Sequence, residues 1–261
     1  LKQQKATNMS SNKQIPPDTA LPNPAHTFDT LVCGRANREI CETARRIARS
    51  PGGGIYNPLF LYGAAGTGKT HLAEAVGNEF LRLHPAGRVY CLNTDDYTQS
   101  LIKAIRTNKY ADGDFGRQYQ DADLLIADDI QLLQGRERTA EEFLRLFEHY
   151  RARGCQIVVC GSCPPQALAD TNPGLASRLS HGIVIRLDAP DAAMRAAIVQ
   201  AKAAAAGVEL SEAAAERLAA YPAGADVRCL TGLLNRLIAV CQTENRVRIE
   251  ADWPEEMLCG R

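Results

Sequence analysis

No stretch of this chain runs to about eighteen apolar residues without interruption, so no transmembrane helix is expected. The N-terminus lacks the basic-then-apolar pattern of a secretory signal. Charge of neither sign is in surplus, since 30 Lys and Arg balance 30 Asp and Glu. The molecule as a whole therefore offers no electrostatic funnel toward nucleic acid, and any DNA contact must come from local clusters. No internal repeat is found. The cysteines lack a framework spacing: nine of them, an odd number, are scattered along the chain, which reads as reduced thiols of a cytosolic protein. One pair, Cys160-Gly161-Ser162-Cys163, has C-x-x-C spacing, with Cys155 shortly before it. The second pair that a zinc site would want is missing. The pair also ends a strand-like run before Pro164-Pro165 instead of opening a helix, so core packing is the expectation.

What is present is sharper. The run Gly63-Ala64-Ala65-Gly66-Thr67-Gly68-Lys69-Thr70 fits the phosphate-binding pattern G-x-x-x-x-G-K-[ST] at every defined position. Glycines let the backbone curl so that successive N–H groups face phosphate oxygens. The spacing puts Lys69 within reach of the outer phosphates and the Thr70 hydroxyl on Mg²⁺. The helix that begins around Lys69 adds its positive end to the same anion. Context agrees: Pro58-Leu59-Phe60-Leu61-Tyr62 is an apolar strand-like run, and Leu72, Ala73, Ala75, Val76, Phe80 and Leu83 recur at helical spacing. The nucleotide-binding set is thus Gly63 to Thr70 with the adjoining His71, and ATP or ADP is the expected ligand.

With 45% hydrophobic residues in 261, the chain is long enough to bury a real core. Residues 1–26 are polar and proline-bearing, and read as a disordered linker. The chain opens on Leu1 in place of Met, which leads us to expect a fragment with something upstream. Strand-like runs at 59–62, 88–92, 124–128, 157–161 and 183–187 alternate with helical stretches, including 139–151. That pattern predicts an α/β domain over 27–190, a parallel five-stranded sheet sandwiched by helices. After Pro190, alanine- and leucine-rich stretches at 192–206, 211–220 and 226–242 predict a small all-helical lid over 191–261. The run Leu124-Leu125-Ile126-Ala127-Asp128-Asp129 is an apolar strand ending in two carboxylates beside the phosphate loop. Asp128 is expected to hold Mg²⁺ through water, and Asp129 to orient or deprotonate the attacking water.

At this point the residues resemble a known family. Asn57-Pro58-Leu59-Phe60-Leu61-Tyr62-Gly63 running into Gly68-Lys69-Thr70-His71-Leu72 is similar to the DnaA family of bacterial replication initiators. So are Leu125-Ile126-Ala127-Asp128-Asp129-Ile130-Gln131 with Arg136-Glu137-Arg138-Thr139-Ala140-Glu141-Glu142-Phe143, and the entry His26-Thr27-Phe28-Asp29-Thr30-Leu31-Val32. The resemblance covers residues 26 to about 250 and implies an AAA+ P-loop NTPase with the helical insertion that marks initiators. It implies that Arg178, in Leu175-Ala176-Ser177-Arg178-Leu179, is an arginine finger reaching the γ-phosphate held by a neighbouring subunit. It likewise makes Arg228 of the lid a second sensor, touching phosphate in cis. The insertion would begin at Thr94-Asp95-Asp96-Tyr97 and extend through Lys109. Within it Ile102 matches an apolar position that faces single-stranded DNA, and Arg136 and Arg138 match a region that contacts the strand's phosphates. Lys103, Arg106 and Lys109 lie three apart, a spacing that lets them share a helix face suited to a sequence-tolerant grip.

The partners the resemblance implies are single-stranded DNA and further copies of the chain, in an ATP-dependent oligomer or filament that helps melt an origin. Hydrolysis would be slow, a regulatory switch in a cytoplasmic, nucleoid-associated protein. A short relative, Hda, which docks on the sliding clamp and stimulates the initiator's hydrolysis, gives a second reading. A helicase loader, recognised by binding the replicative helicase, gives a third. Three features depart from the initiator pattern. Ser162 stands where an acidic polar sensor is usual, which puts the hydrolysis rate in question. Asp112-Gly113-Asp114-Phe115-Gly116 should loosen the second helix of the insertion. A helix-turn-helix domain for duplex DNA would start near Arg261 and is absent from this sequence.

Overall fold

Alternation of apolar side chains across the strands builds the molecule in layers. The computed structural model describes residues 19–34, 37–107, 115–220, 226–244 and 246–253. In chain order these form β1 (Thr19–Ala20), α1 (Arg38–Arg49), β2 (Leu59–Tyr62), α2 (Lys69–Leu83), β3 (Val89–Asn93), α3 (Thr94–Arg106), β4 (Leu124–Asp128), α4 (Glu137–Ala152), β5 (Gln156–Gly161), α5 (Pro173–Leu179) and β6 (Ile183–Arg186). The sheet order is β1-β3-β4-β5-β2-β6. The five strands from β3 to β6 pair in parallel, as the sequence predicts.

Leu59, Leu61, Val89, Leu124, Ile126, Val158 and Cys160 face one side and pack with Ala44, Ile47 and Ala48 of α1 and Leu72, Val76 and Phe80 of α2. Phe60, Tyr90, Leu92, Leu125, Ile157 and Val159 face the other, against Tyr97 and Leu101 of α3, Phe143 and Phe147 of α4 and Leu175 of α5. Cys160 thus lies within the core, and its burial pushes its thiol well above the ordinary value. Tyr97 makes edge or tilted contacts with Phe115, Tyr119 and Phe143 at centroid separations of 5.3, 5.3 and 6.2 Å. These contacts anchor the short 3₁₀ turn Phe115–Tyr119 beneath α3. Lys109 and Asp112-Gly113-Asp114 lie outside the described residues, so the expected loosening of a second helix concerns residues of which only Phe115 and Gly116 are described.

Two differences from the sequence reading stand out. The expected linker over 1–26 does not hold for residues 19–26, which are tied to the sheet. β1 pairs antiparallel with β3, Thr19 opposite Leu92 and Ala20 opposite Cys91. Asn78 on α2 then donates to the carbonyls of Asn23 at 2.8 Å and His26 at 2.7 Å. Backbone pairing needs no hydrophobic periodicity, which is why a polar stretch gave no warning of it. In the lid, α6 (Ala192–Ala205), α7 (Glu212–Ala220) and α8 (Val227–Thr243) enclose Val199, Leu218, Leu230, Leu234 and Trp253. They are joined by a parallel pair, β7 (Glu209–Leu210) with β8 (Arg248–Ile249), so this helical lid also carries a strand pairing. No helix among the described residues is long and apolar enough to cross a membrane.

The loop between α1 and β2 is held by the side-chain amides of buried Gln156 and half-buried Asn57. The Gln156 side chain accepts from Gly52 N at 2.9 Å and donates to the carbonyls of Tyr56 and Ile157, each at 3.0 Å. Asn57 accepts from Ile157 N at 3.0 Å and donates to the Cys155 carbonyl at 2.8 Å. Because Gln156 is fully buried, Gln156→Ala would leave backbone groups without partners. The expected loss is about 2–3 kcal/mol of unfolding free energy in urea titration, at an unchanged slope.

Candidate nucleotide-binding site

The turn from β2 into α2 is shaped by what surrounds it. A Cβ at Gly63 would lie 2.2 Å from the Leu187 carbonyl oxygen, so the strand end admits no side chain there. Gly66 sits at φ 73°, in the left-handed region, and a Cβ there would meet Asp226 Cβ at 2.9 Å and Val227 N at 3.0 Å. The start of the lid's last helix therefore rests directly on the phosphate loop. Gly68 precedes the first residue of α2, leaving that helix's N-terminal N–H groups aimed at the loop. Thr67 Oγ1 closes the loop by donating to the Ala64 carbonyl at 3.0 Å.

Lys69 is buried at the base of the turn, and its Nζ donates to the carbonyls of Gly63 at 2.8 Å and Ala64 at 2.7 Å. Burial holds its ammonium below the ordinary lysine value, opposed by Cys160, Asp128 and Asp129 and aided by Arg228. A desolvated cation facing inward N–H groups is an arrangement that favours an anion. Thr70 Oγ1 donates to Asp128 Oδ2 at 2.6 Å. One hydroxyl and one carboxylate on the same edge form the sparse donor set that Mg²⁺ uses when phosphates and water supply the rest, so these residues fit the ion.

Strand register brings the second carboxylate in. Tyr62 is level with Gly161, and Asn93 with Asp128, so the strand ends line up along the carboxyl edge of the sheet. Asp129 turns at φ 57° and its N–H donates back to Asp128 Oδ1 at 2.8 Å. Gln131 was not singled out from the sequence, although it lies in the run that carried the resemblance. Its Nε2 donates to Asp129 Oδ1 at 2.9 Å and its Oε1 accepts from Ser162 N at 2.9 Å. Thr94, also missed, donates from Oγ1 to the Asp128 carbonyl at 2.6 Å. Amide and hydroxyl tethers like these occur throughout proteins, and only the fold shows what they hold.

Other residues predicted for the site lie in different places. Arg228, in the first turn of α8, is within electrostatic reach of Lys69. Arg178 on α5 pairs instead through Nε with Glu148 of α4, beside a cavity of about 390 Å³ that Arg151 and His181 also line. Ile102 is exposed on α3, as is Ile105 one turn on, with Lys103 and Arg106 exposed on the same helix. Arg136 pairs with Asp95 at 3.1 Å, joining the start of α4 to the start of α3. Arg138 is an exposed residue in the first turn of α4. His71 is part of a junction beside the loop: its Nε2 lies 3.1 Å from the Thr27 carbonyl and 3.2 Å from Thr30 Oγ1. Its ring also stacks on His26 at 4.5 Å.

Residues 22–186 match the family described as Bacterial DnaA ATPAse domain. The chain is 43% identical over 230 residues to the chromosomal replication initiator protein DnaA of Neisseria meningitidis strain FAM18, covering 88% of this chain and 44% of that protein. It therefore spans less than half the length of that relative. In structure it is similar to domain III of the Thermotoga maritima replication initiation protein DnaA, with a TM-score of 0.84 at 29% identity, covering 92% of this chain and 98% of the other. It is also similar to a replication initiator DnaA bound to AMPPCP and single-stranded DNA, with a TM-score of 0.72 at 28% identity, covering 87% and 70%.

Burial lowers the His71 pKa to about 4, outweighing the Thr27 carbonyl, which raises it, while His26 and Lys202 lower it further. An unfolded histidine takes its proton near pH 6.5, so the unfolded chain binds more protons than the folded one between that pH and about 4. Stability from this group is complete above the window and is lost as pH falls through it. The ring is partly exposed, and with screening the loss is on the order of 1 kcal/mol. His71→Gln removes the titration, so its urea stability should fall less than the wild type's between about pH 7 and about pH 4.5.

Proposed function

This chain belongs to the bacterial DnaA ATPase-domain family, and from that premise we propose that it is the nucleotide-switched, strand-gripping domain of a replication initiator. The observation that carries the reading is the convergence of Lys69, Thr70 and Asp128 at one sheet edge, with Arg228 of the lid within electrostatic reach of Lys69. ATP or ADP binds between the sheet domain and the lid. The loop's N–H groups and Lys69 take the phosphates, Lys69 exchanging its two carbonyl partners for phosphate oxygens. Thr70 and, through water, Asp128 would hold Mg²⁺, which would supply positive charge to the outer phosphates. Asp129 orients or deprotonates the attacking water, and Gln131, itself held by the Ser162 backbone N–H, fixes its carboxylate. The Ser162 hydroxyl carries no charge, consistent with slow turnover that acts as an off-switch.

Arg228 senses phosphate within the subunit, and Arg178 reaches the γ-phosphate of a neighbour once it leaves Glu148. Assembly then depends on the third phosphate. The exposed apolar and basic side chains of α3, Ile102 and Lys103 among them, grip one DNA strand together with Arg136 and Arg138. The solved relative bound to AMPPCP, an ATP analogue, and single-stranded DNA supports nucleotide and strand binding by a chain of this kind.

Sedimentation on a fluorescent single-stranded oligonucleotide tests the reading. Large assemblies should form with ATP and not with ADP, and Arg178→Ala should weaken assembly by about tenfold or more. Lys103→Ala should lower the slope of log affinity against log salt by about 0.7, the share of one phosphate contact on a single strand. Nucleotide binding without assembly or strand binding would overturn the initiator reading and bring the clamp-docking adaptor forward.

A further inference from the structure

The segment 27–34 links parts of the molecule that the nucleotide reading needs to move. At one end it meets α2 just after the phosphate loop, through the contacts of Thr27 and Thr30 with His71. At the other it meets the lid: a Cβ at Gly34 would lie 3.6 Å from the Met194 sulfur of α6. Between them, beside Gly34, is Cys33. Its Sγ lies 2.8 Å from Sγ of Cys41 on α1, and both thiols are free. That is less than one ångström longer than a disulfide bond. Cys33 is exposed and Cys41 is buried, so an oxidant reaches one sulfur while the other is held ready behind it. The backbone here is already pinned, with Gly34 N donating to Asn37 Oδ1 at 2.7 Å and Asn37 Nδ2 to the Val32 carbonyl at 3.1 Å. Closing the bond therefore needs little rearrangement.

We propose that Cys33 and Cys41 form a thiol–disulfide switch that fastens the 27–34 segment to α1 and slows nucleotide exchange. The oxidant is hydrogen peroxide. The Cys33 thiolate attacks a peroxide oxygen, the O–O bond breaks, and Cys33 becomes a sulfenic acid as one water leaves. Cys41 sulfur then attacks Cys33 sulfur, the S–O bond breaks, and a second water departs with the Cys41 proton. The two sulfurs give up two electrons to the peroxide, and a dithiol restores them. Burial, followed by the hydrogen bond and charge of Cys33, pushes the Cys41 thiol up to about 12. The Cys41 thiolate fraction, and with it the rate of the second step, rises with pH. Any movement of the lid that lets nucleotide leave would shift Met194 against Gly34, so a covalent tether on the neighbouring residue would resist it. The effect on exchange rests on the nucleotide site proposed above; the bond itself does not.

The test treats the full chain with hydrogen peroxide, caps remaining thiols, and maps peptides by mass. The expected product joins the Cys33 and Cys41 peptides with loss of two hydrogens, forms faster at higher pH, and disappears with dithiothreitol. Release of a fluorescent ADP should slow by about fivefold or more in the oxidised chain, recover with dithiothreitol, and become insensitive to peroxide in Cys33→Ser. Absence of the Cys33–Cys41 peptide overturns the switch, as does a linked chain that exchanges nucleotide at the reduced rate. A peroxide effect that survives in Cys33→Ser assigns the response to another thiol, such as exposed Cys229, and also overturns it. A reduced chain that binds no nucleotide overturns the site reading and the exchange effect together, while the mass map still reports on the bond.

Discussion

A buried ammonium cannot stand without oxygens around it, and the placement of Lys69 organises the rest of the site. Its Nζ is satisfied by two carbonyls of its own loop, which requires the backbone to curl tightly enough to point those oxygens inward. The same curl turns the intervening N–H groups toward the space a phosphate would fill. Gly63 and Gly66 then follow from contacts on either side, the Leu187 carbonyl beneath and the α8 N-terminus above. The loop is shaped by a strand end and a lid as much as by its ligand. Burial lowers the cost of giving up the lysine proton, and an arriving polyanion supplies the countercharge that the carbonyls provide only as dipoles.

The lid is joined to this chemistry through its own capping. Asp226 accepts from Cys229 N at 2.7 Å as the N-cap of α8, and it is the residue seated against Gly66. Helix start, loop contact and the position of Arg228 are therefore one local arrangement. A shift of the lid moves Arg228 relative to Lys69, and pressure on the loop is felt at the α8 cap.

Much of this was legible in the sequence. The strands at 59–62 and 124–128 were located to the residue, because a fully buried parallel strand is an apolar run with sharp polar ends. The phosphate loop was legible because its chemistry tolerates few substitutes. Pairings that carry no pattern were illegible. β1 is two residues held by backbone bonds, and Gln131 acts through an amide that any surface glutamine also has. Cys33 and Cys41 are eight apart, a separation that no helical or strand period brings together, since Cys33 precedes the helix that carries Cys41. The start of α4 at Glu137 rather than near 139 reflects an N-cap position, Arg136, that makes no side-chain cap. Propensity has no strong marker to find there.

The zero net charge takes on meaning once the ion pairs are placed. Two arginines assigned to contacts outside the subunit have partners within it: Arg178 on Glu148 and Arg136 on Asp95. Both pairs are substantially solvent-exposed, so each contributes little on its own. Binding a strand or a neighbour, on the proposed reading, exchanges one exposed ion pair for another. Such an exchange is close to balanced, and small differences decide it. The third phosphate is a difference of that kind, because it adds negative charge where a neighbour's Arg178 would arrive. A chain with a large basic surplus would bind nucleic acid whatever its nucleotide. On the proposed reading, the neutral charge balance and the paired arginines leave the decision to the phosphate loop.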